Sequence, residues 1–152
     1  MLLASILRPA FRPGGGLRLF SAAAAGLDPA LKKRLDDMVN SQKVVLFMKG
    51  TPEEPLCGFS NASTKILQIH EIPFKSYDVL ADQEVREGVK RYSEWPTIPQ
   101  LYVAGEFVGG CDIMIQLHQS GELAEVFRKG GLRSKFDKTR SADSTRDGGK
   151  DN

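Results

Sequence analysis

The chain has 152 residues, enough for one domain with its own core and short of a comfortable two. Hydrophobic residues make up 41% and charged residues 26%, the balance of an ordinary globular domain. A net charge of +2 is too small for a nucleic-acid groove, and no apolar run approaches the roughly 18 residues of a membrane-spanning helix.

The charge is unevenly placed. Residues 1–27 carry Arg8, Arg12 and Arg18 and no acid, which leaves the remainder slightly acidic and mixed. This leader, MLLASILRPAFRPGGGLRLFSAAAAGL, is rich in Leu, Ala and Arg. Arg8, Pro9, Arg12 and Pro13 interrupt the apolar block that a secretory signal requires, so the composition is that of a mitochondrial transit peptide, with a disordered extension that carries no address as the alternative. Arg18-Leu19-Phe20-Ser21 resembles a matrix-peptidase site, with cleavage after Phe20, and the expected location is the mitochondrial matrix.

Beyond the leader the elements follow in order. Asp28-Pro29 opens a helix, with Asp as N-cap and Pro at the first helical position. Leu31, Leu35, Met38 and Val39 give that helix one apolar face. Lys43 to Met48 is a nearly continuous apolar run and predicts a buried strand. Gly50-Thr51-Pro52 and Pro55 mark a loop, and Phe59, Ala62, Ile66 and Ile69 recur at helical spacing from Gly58 to about His70. A second strand is predicted over Phe74–Val79. Asp82 caps a helix bearing Val85, Val89 and Tyr92. After the Trp95–Pro99 loop, Gln100–Val103 and Glu106–Val108 form a hairpin around Ala104-Gly105. Asp112 is the expected cap of a helix to about Ser120, and a last amphipathic segment, Leu123–Lys129, stops at Gly130-Gly131. A βαβ unit followed by a hairpin and helices predicts an α/β domain over residues 28–131, with a four-stranded mixed sheet flanked by helices in the thioredoxin-like arrangement. Residues 132–152 are expected to be a disordered tail, since from Ser134 onward apolar content nearly vanishes.

Two cysteines, Cys57 and Cys111, are too few for a disulfide-stapled secreted domain and too few for a four-thiolate zinc site in one chain. Cys57 falls between a predicted strand and the N-terminal edge of a helix. Unpaired N–H groups and the helix dipole favour thiolate there, and Lys49 is a nearby cation. Spacing alone leaves an equal alternative, a small apolar residue that happens to open a helix. A dithiol motif would need a cysteine three positions on, and that position is Ser60. Cys57 therefore has no resolving partner in its own loop.

Cys57-Gly58-Phe59-Ser60 is the CGFS signature, and the chain resembles the monothiol glutaredoxins over about residues 28–131. Lys49-Gly50-Thr51-Pro52, Trp95-Pro96-Thr97-Ile98-Pro99-Gln100 and Gly109-Gly110-Cys111-Asp112 complete the resemblance in the family's order and spacing. Leader and single domain together are similar to the mitochondrial branch. The resemblance implies a glutathione site in which Lys49 faces the cysteine and Arg86 and Lys90, four apart on one helix face, meet a carboxylate. By themselves those two cations read first as a solvated helix face, and it is the resemblance that reverses this. The Ile98 backbone, before a cis Pro99, would pair with the tripeptide, and the N–H groups of Cys111 and Asp112 would hold its γ-glutamyl carboxylate. Trp95 is expected to pack rather than touch ligand. Cys111 is read first as a small buried residue, with a disulfide to Cys57 as the alternative.

The resemblance further implies a [2Fe–2S] cluster. Four thiolates are the usual ligand set, and one chain offers one well-placed cysteine. Two copies of Cys57 and two glutathiones would complete it, making a cluster-bridged homodimer. Implied partners are an iron–sulfur scaffold protein with its heat-shock-type chaperone, BolA-like proteins and apo iron–sulfur clients, with no nucleic acid and no membrane. The alternative activity is glutathione-dependent thiol exchange through the same cysteine, as a monothiol oxidoreductase that removes glutathione from mixed disulfides.

Overall fold

In the computed structural model, which describes residues 26–137, the Asp28 carboxylate accepts the N–H groups of Ala30 (3.1 Å) and Leu31 (3.2 Å), and α1 (Pro29–Val39) starts where the Asp-Pro pair predicts. The expected transit peptide lies outside the described residues, as does the tail from residue 138 on. Next come β1 (Val44–Met48), α2 (Gly58–Ile69), β2 (Lys75–Asp78) and α3 (Gln83–Ser93). They are followed by β3 (Gln100–Val103), β4 (Glu106–Gly109), α4 (Cys111–Ser120) and α5 (Glu122–Lys129). Element order and type match the expectation, with strand ends shifted by a residue.

The sheet order is β2-β1-β3-β4. β1 runs parallel to β2 and antiparallel to β3, which pairs antiparallel with β4. β1 is central and buried throughout, so its alternating side chains feed two cores. Val44, Leu46 and Met48 pack with Ile66 and Leu67 of α2, Met114 of α4, and Leu123 and Phe127 of α5. Val45 and Phe47 face the other way, into Leu35 and Val39 of α1 and Val85 and Val89 of α3. Helices on both faces explain why β1 reads as one unbroken apolar run rather than an alternation. This is the thioredoxin-like arrangement. Among the described residues no helix is long and apolar enough to cross a membrane.

Two details differ from the expectation. The cap of α4 is Gly110, not Asp112. Asp112 lies inside the first turn, where its carboxylate meets the positive end of the helix instead of an N–H cap. Residues 132–137, assigned above to a structureless tail, return to the domain. Ser134 is fully buried, its hydroxyl lies 2.6 Å from Nδ1 of His70, and the Lys135 N–H donates to the His70 carbonyl. Low apolar content hid this segment because its anchors are few: the polar Ser134 contact, Leu132 against the core, and the Phe136 ring 4.8 Å from His70.

Candidate functional site

β1 ends at Met48, and its axis delivers Lys49 and the following loop to the N-terminal edge of α2. Gly50 turns the chain with φ +85°, and a Cβ there would lie 2.4 Å from the Glu54 carbonyl oxygen. Only glycine fits this turn without displacement. The Leu56 N–H donates to the Lys49 carbonyl at 2.9 Å, closing the loop directly beside Cys57.

Cys57 is the N-cap of α2, and its sulfur does what a capping oxygen would do. Sγ accepts the Ser60 N–H at 3.3 Å, and the Ser60 hydroxyl lies 3.2 Å from Sγ. The hydroxyl is itself fixed, because the Lys49 N–H donates to Ser60 Oγ at 3.1 Å. Partial burial alone would push the Cys57 thiol up. The Ser60 hydroxyl, the N–H groups of Ser60 and Phe59, and the Lys49 cation outweigh it and hold the pKa below the ordinary thiol value. Ser60 thus contributes more than the absence of a second cysteine. Only that absence is legible in the residue order, and the signal for the rest is the capping geometry of a residue three positions into a helix.

An open cleft of about 340 Å³ runs beside the thiol. Lys49, Arg86, Lys90, Ile98, Cys111 and Asp112 all line it, so residues spread over more than sixty positions of sequence converge on one surface. Cys57 is not in the lining; it sits next to the cleft, two residues from Phe59, which is. Along the wall, Arg86 Nε is buried without an acceptor among the described residues, a donor left for an anion. Lys90 Nζ lies 3.2 Å from Glu87, so any ligand carboxylate must compete with that surface pair. The Ile98–Pro99 peptide is cis.

The far end of the cleft is the start of α4. A Cβ on Gly110 would lie 2.9 Å from Nε1 of Trp95 and 3.3 Å from the Pro99 carbonyl oxygen, so the bare backbone lets three segments meet. Trp95 both packs, with its ring 5.6 Å from that of Phe107, and lines the cleft. Cys111 is buried and differs from Cys57 in character. Burial, together with the Asp112 and Cys57 charges, pushes its thiol up, offset in part by the Ser63 hydroxyl, which is close but makes no hydrogen bond of regular geometry. Both cysteines are free thiols. Among the described residues no three His, Cys, Asp or Glu side chains cluster as a metal site.

A thioredoxin-like sheet that presents one low-pKa thiol at a helix N-terminus, with no partner cysteine in its loop and a cationic cleft alongside, defines a monothiol thiol protein. Comparison with known proteins makes the class definite. The glutaredoxin family model matches residues 44–108. Over 104 residues the chain is 58% identical to the mitochondrial glutaredoxin-related protein 5 of Danio rerio, covering 68% of this chain and 67% of the relative. It is also 58% identical, over 100 residues, to a ycf64-like monothiol glutaredoxin of Synechocystis, covering 66% of this chain and 94% of that one. The solution structure of reduced poplar apo GrxS14 superposes with a TM-score of 0.61 at 53% identity, over 67% of this chain and 94% of that one. The chain belongs to the glutaredoxin family, among its monothiol members.

Proposed function

We propose that this protein is a mitochondrial carrier of [2Fe–2S] clusters, each cluster held by Cys57 from two copies of the chain and by the thiolates of two glutathiones. The observation that carries this reading is the lone, partly buried, thiolate-favouring Cys57 beside a cleft whose cations suit a small dicarboxylate. One accessible thiol per chain supplies one of the four ligands a cluster takes, so the remainder must come from outside the chain. Glutathione brings a thiolate and two carboxylates. Lys49, Arg86 and Lys90 would meet one carboxylate, and the N–H groups of Cys111 and Asp112 at the start of α4 the other. The orphaned Arg86 Nε fits such a ligand.

With half its ligands exchangeable, the cluster is cargo rather than a resident redox centre. It would arrive from a scaffold protein and its heat-shock-type chaperone and leave to apo iron–sulfur proteins, with BolA-like proteins as heterodimeric partners. The mitochondrial relative and the transit-like leader support the location, and the matrix is the compartment the leader fits.

Anaerobic reconstitution with iron, sulfide and glutathione tests this directly. The expected product is coloured and dimeric, and omission of glutathione or Cys57→Ser abolishes both properties. Colour and dimer surviving in Cys57→Ser would sink the ligand assignment. A depressed thiol pKa also favours a nucleophile, which keeps the exchange reading alive. Turnover on a glutathione mixed disulfide equal to that of a dithiol glutaredoxin, without cluster binding, would replace the carrier by that enzyme.

A further inference from the structure

The cationic wall of the cleft comes from separate segments, with Lys49 just past β1 and Arg86 and Lys90 on α3. Behind the cleft, a single carboxylate oxygen links the two segments. Oδ1 of Asp78 accepts the Gly50 N–H at 2.9 Å and the Leu80 N–H at 2.9 Å. Gly50 directly follows Lys49, and Leu80 stands in the turn that carries the chain to Asp82, the N-cap of α3. Asp78 is well anchored for this task. It is the last residue of β2 and is in register with Met48 of β1, and the next residue's N–H donates to the Met48 carbonyl.

The contacts continue to the thiol. From Gly50 the chain steps back to Lys49, whose N–H fixes the Ser60 hydroxyl, which in turn lies on Cys57 Sγ. Gly50 is buried at φ +85° and has no room for a side chain, so its N–H direction depends on what accepts it. We propose that Asp78 is a positioning residue for the thiol and for glutathione, holding the Lys49–Cys57 loop and the Arg86 helix at the separation the ligand spans. This rests on the glutathione reading given above. Asp78 touches neither ligand nor sulfur. Its contribution is an acceptor aimed at two N–H groups, so asparagine, which keeps the oxygen and drops the charge, should serve as well.

The test compares wild type, Asp78→Ala and Asp78→Asn in two assays. One is a glutathione titration read from the fluorescence of Trp95, the chain's single tryptophan, which lies in the cleft. The other is the pH profile of Cys57 alkylation by iodoacetamide. Asp78→Ala should weaken glutathione binding about tenfold and move the alkylation profile to higher pH, whereas Asp78→Asn stays within about twofold of wild type in both. Wild-type behaviour of Asp78→Ala overturns the proposal, and so does an equal loss in Asp78→Asn. A general structural role would lower the melting temperature without moving the alkylation profile. If Asp78→Ala does not fold, the wild-type amide protons of Gly50 and Leu80 decide. Both should be protected from exchange with solvent deuterium, and rapid exchange at either one overturns the assignment. Should wild type bind no glutathione, the functional reading fails, while the alkylation profiles still judge the positioning of the thiol.

Discussion

At Cys57 two opposed effects meet. Burial raises the thiol pKa, and the Ser60 hydroxyl, two N–H groups and Lys49 lower it further than burial lifts it. Cys111 has the opposite outcome, since burial there is reinforced by the neighbouring negative charges. At neutral pH iodoacetamide should therefore modify Cys57 well before Cys111, as peptide mapping by mass spectrometry would show. Equal labelling would contradict the assignment of one reactive thiol. Ser60→Ala removes the hydroxyl donor and leaves Lys49 N–H without its acceptor. Its alkylation rate at pH 7 should fall by a factor on the order of ten, with the pH profile displaced upward. A helix start and a missing resolving cysteine were both legible at these residues. The hydroxyl's direction was not, because the N–H that fixes it comes from Lys49, eleven positions earlier and on the far side of a loop.

At the scale of elements, α2 has chemistry at one end and a clasp at the other. Its C-cap, His70, is 1% exposed, with Nδ1 2.6 Å from Ser134 Oγ and Nε2 2.8 Å from Nδ1 of His118. Ser134 Oγ accepts the Phe136 N–H at 3.1 Å, so its own hydrogen is free to donate to His70, whose Nε2–H then donates to His118. This arrangement holds with His70 neutral. Burial first, and the His118 charge second, depress the His70 pKa from 6.5 to about 4. A depressed histidine pKa means the unfolded chain takes up the proton before the folded one does. Stability should thus fall as pH drops through the window from 6.5 to about 4, by about 3 kcal/mol at its lower end. Asp36 and Asp82, whose carboxyls lie below 3.8, lose their contributions only under more acid conditions. Urea unfolding at intervals across the window should show this slope, flattened in His70→Asn. An unchanged slope in that variant would assign the loss to other groups. Helical and strand periods were readable because they are local. The clasp joins residues 64 positions apart through one hydroxyl in a segment with tail-like composition, and no local pattern encodes that.

Across the whole molecule, the two-sided core fixes a cleft and leaves an apolar rim beside it. β1 could be recognised from sequence as central, since a strand covered on both faces has no polar alternation to keep. The convergence of Lys49, Arg86, Ile98 and Asp112 on one cleft could not be read from their spacing, and it needed the family's pattern. Leu56 and Phe59 flank Cys57 and stay 58% and 64% exposed, although both are large and apolar. Residues of that kind beside a ligand-sharing thiol are the surface a second copy would cover in the proposed cluster-bridged dimer. Phe59 also lines the cleft, so changing it would disturb glutathione as well; Leu56 does not line it. Leu56→Gln therefore separates the two contributions. Burying one leucine contributes about 2 kcal/mol, and a dimer presents the residue twice, so reconstituted Leu56→Gln should dissociate at least about tenfold more readily than wild type. Sedimentation velocity over a concentration series measures that shift, while a glutathione titration of the apo monomer should remain unchanged. An unaltered dimer would place the contact surface elsewhere, and a matching loss of glutathione affinity would show that Leu56 shapes the cleft rather than the interface.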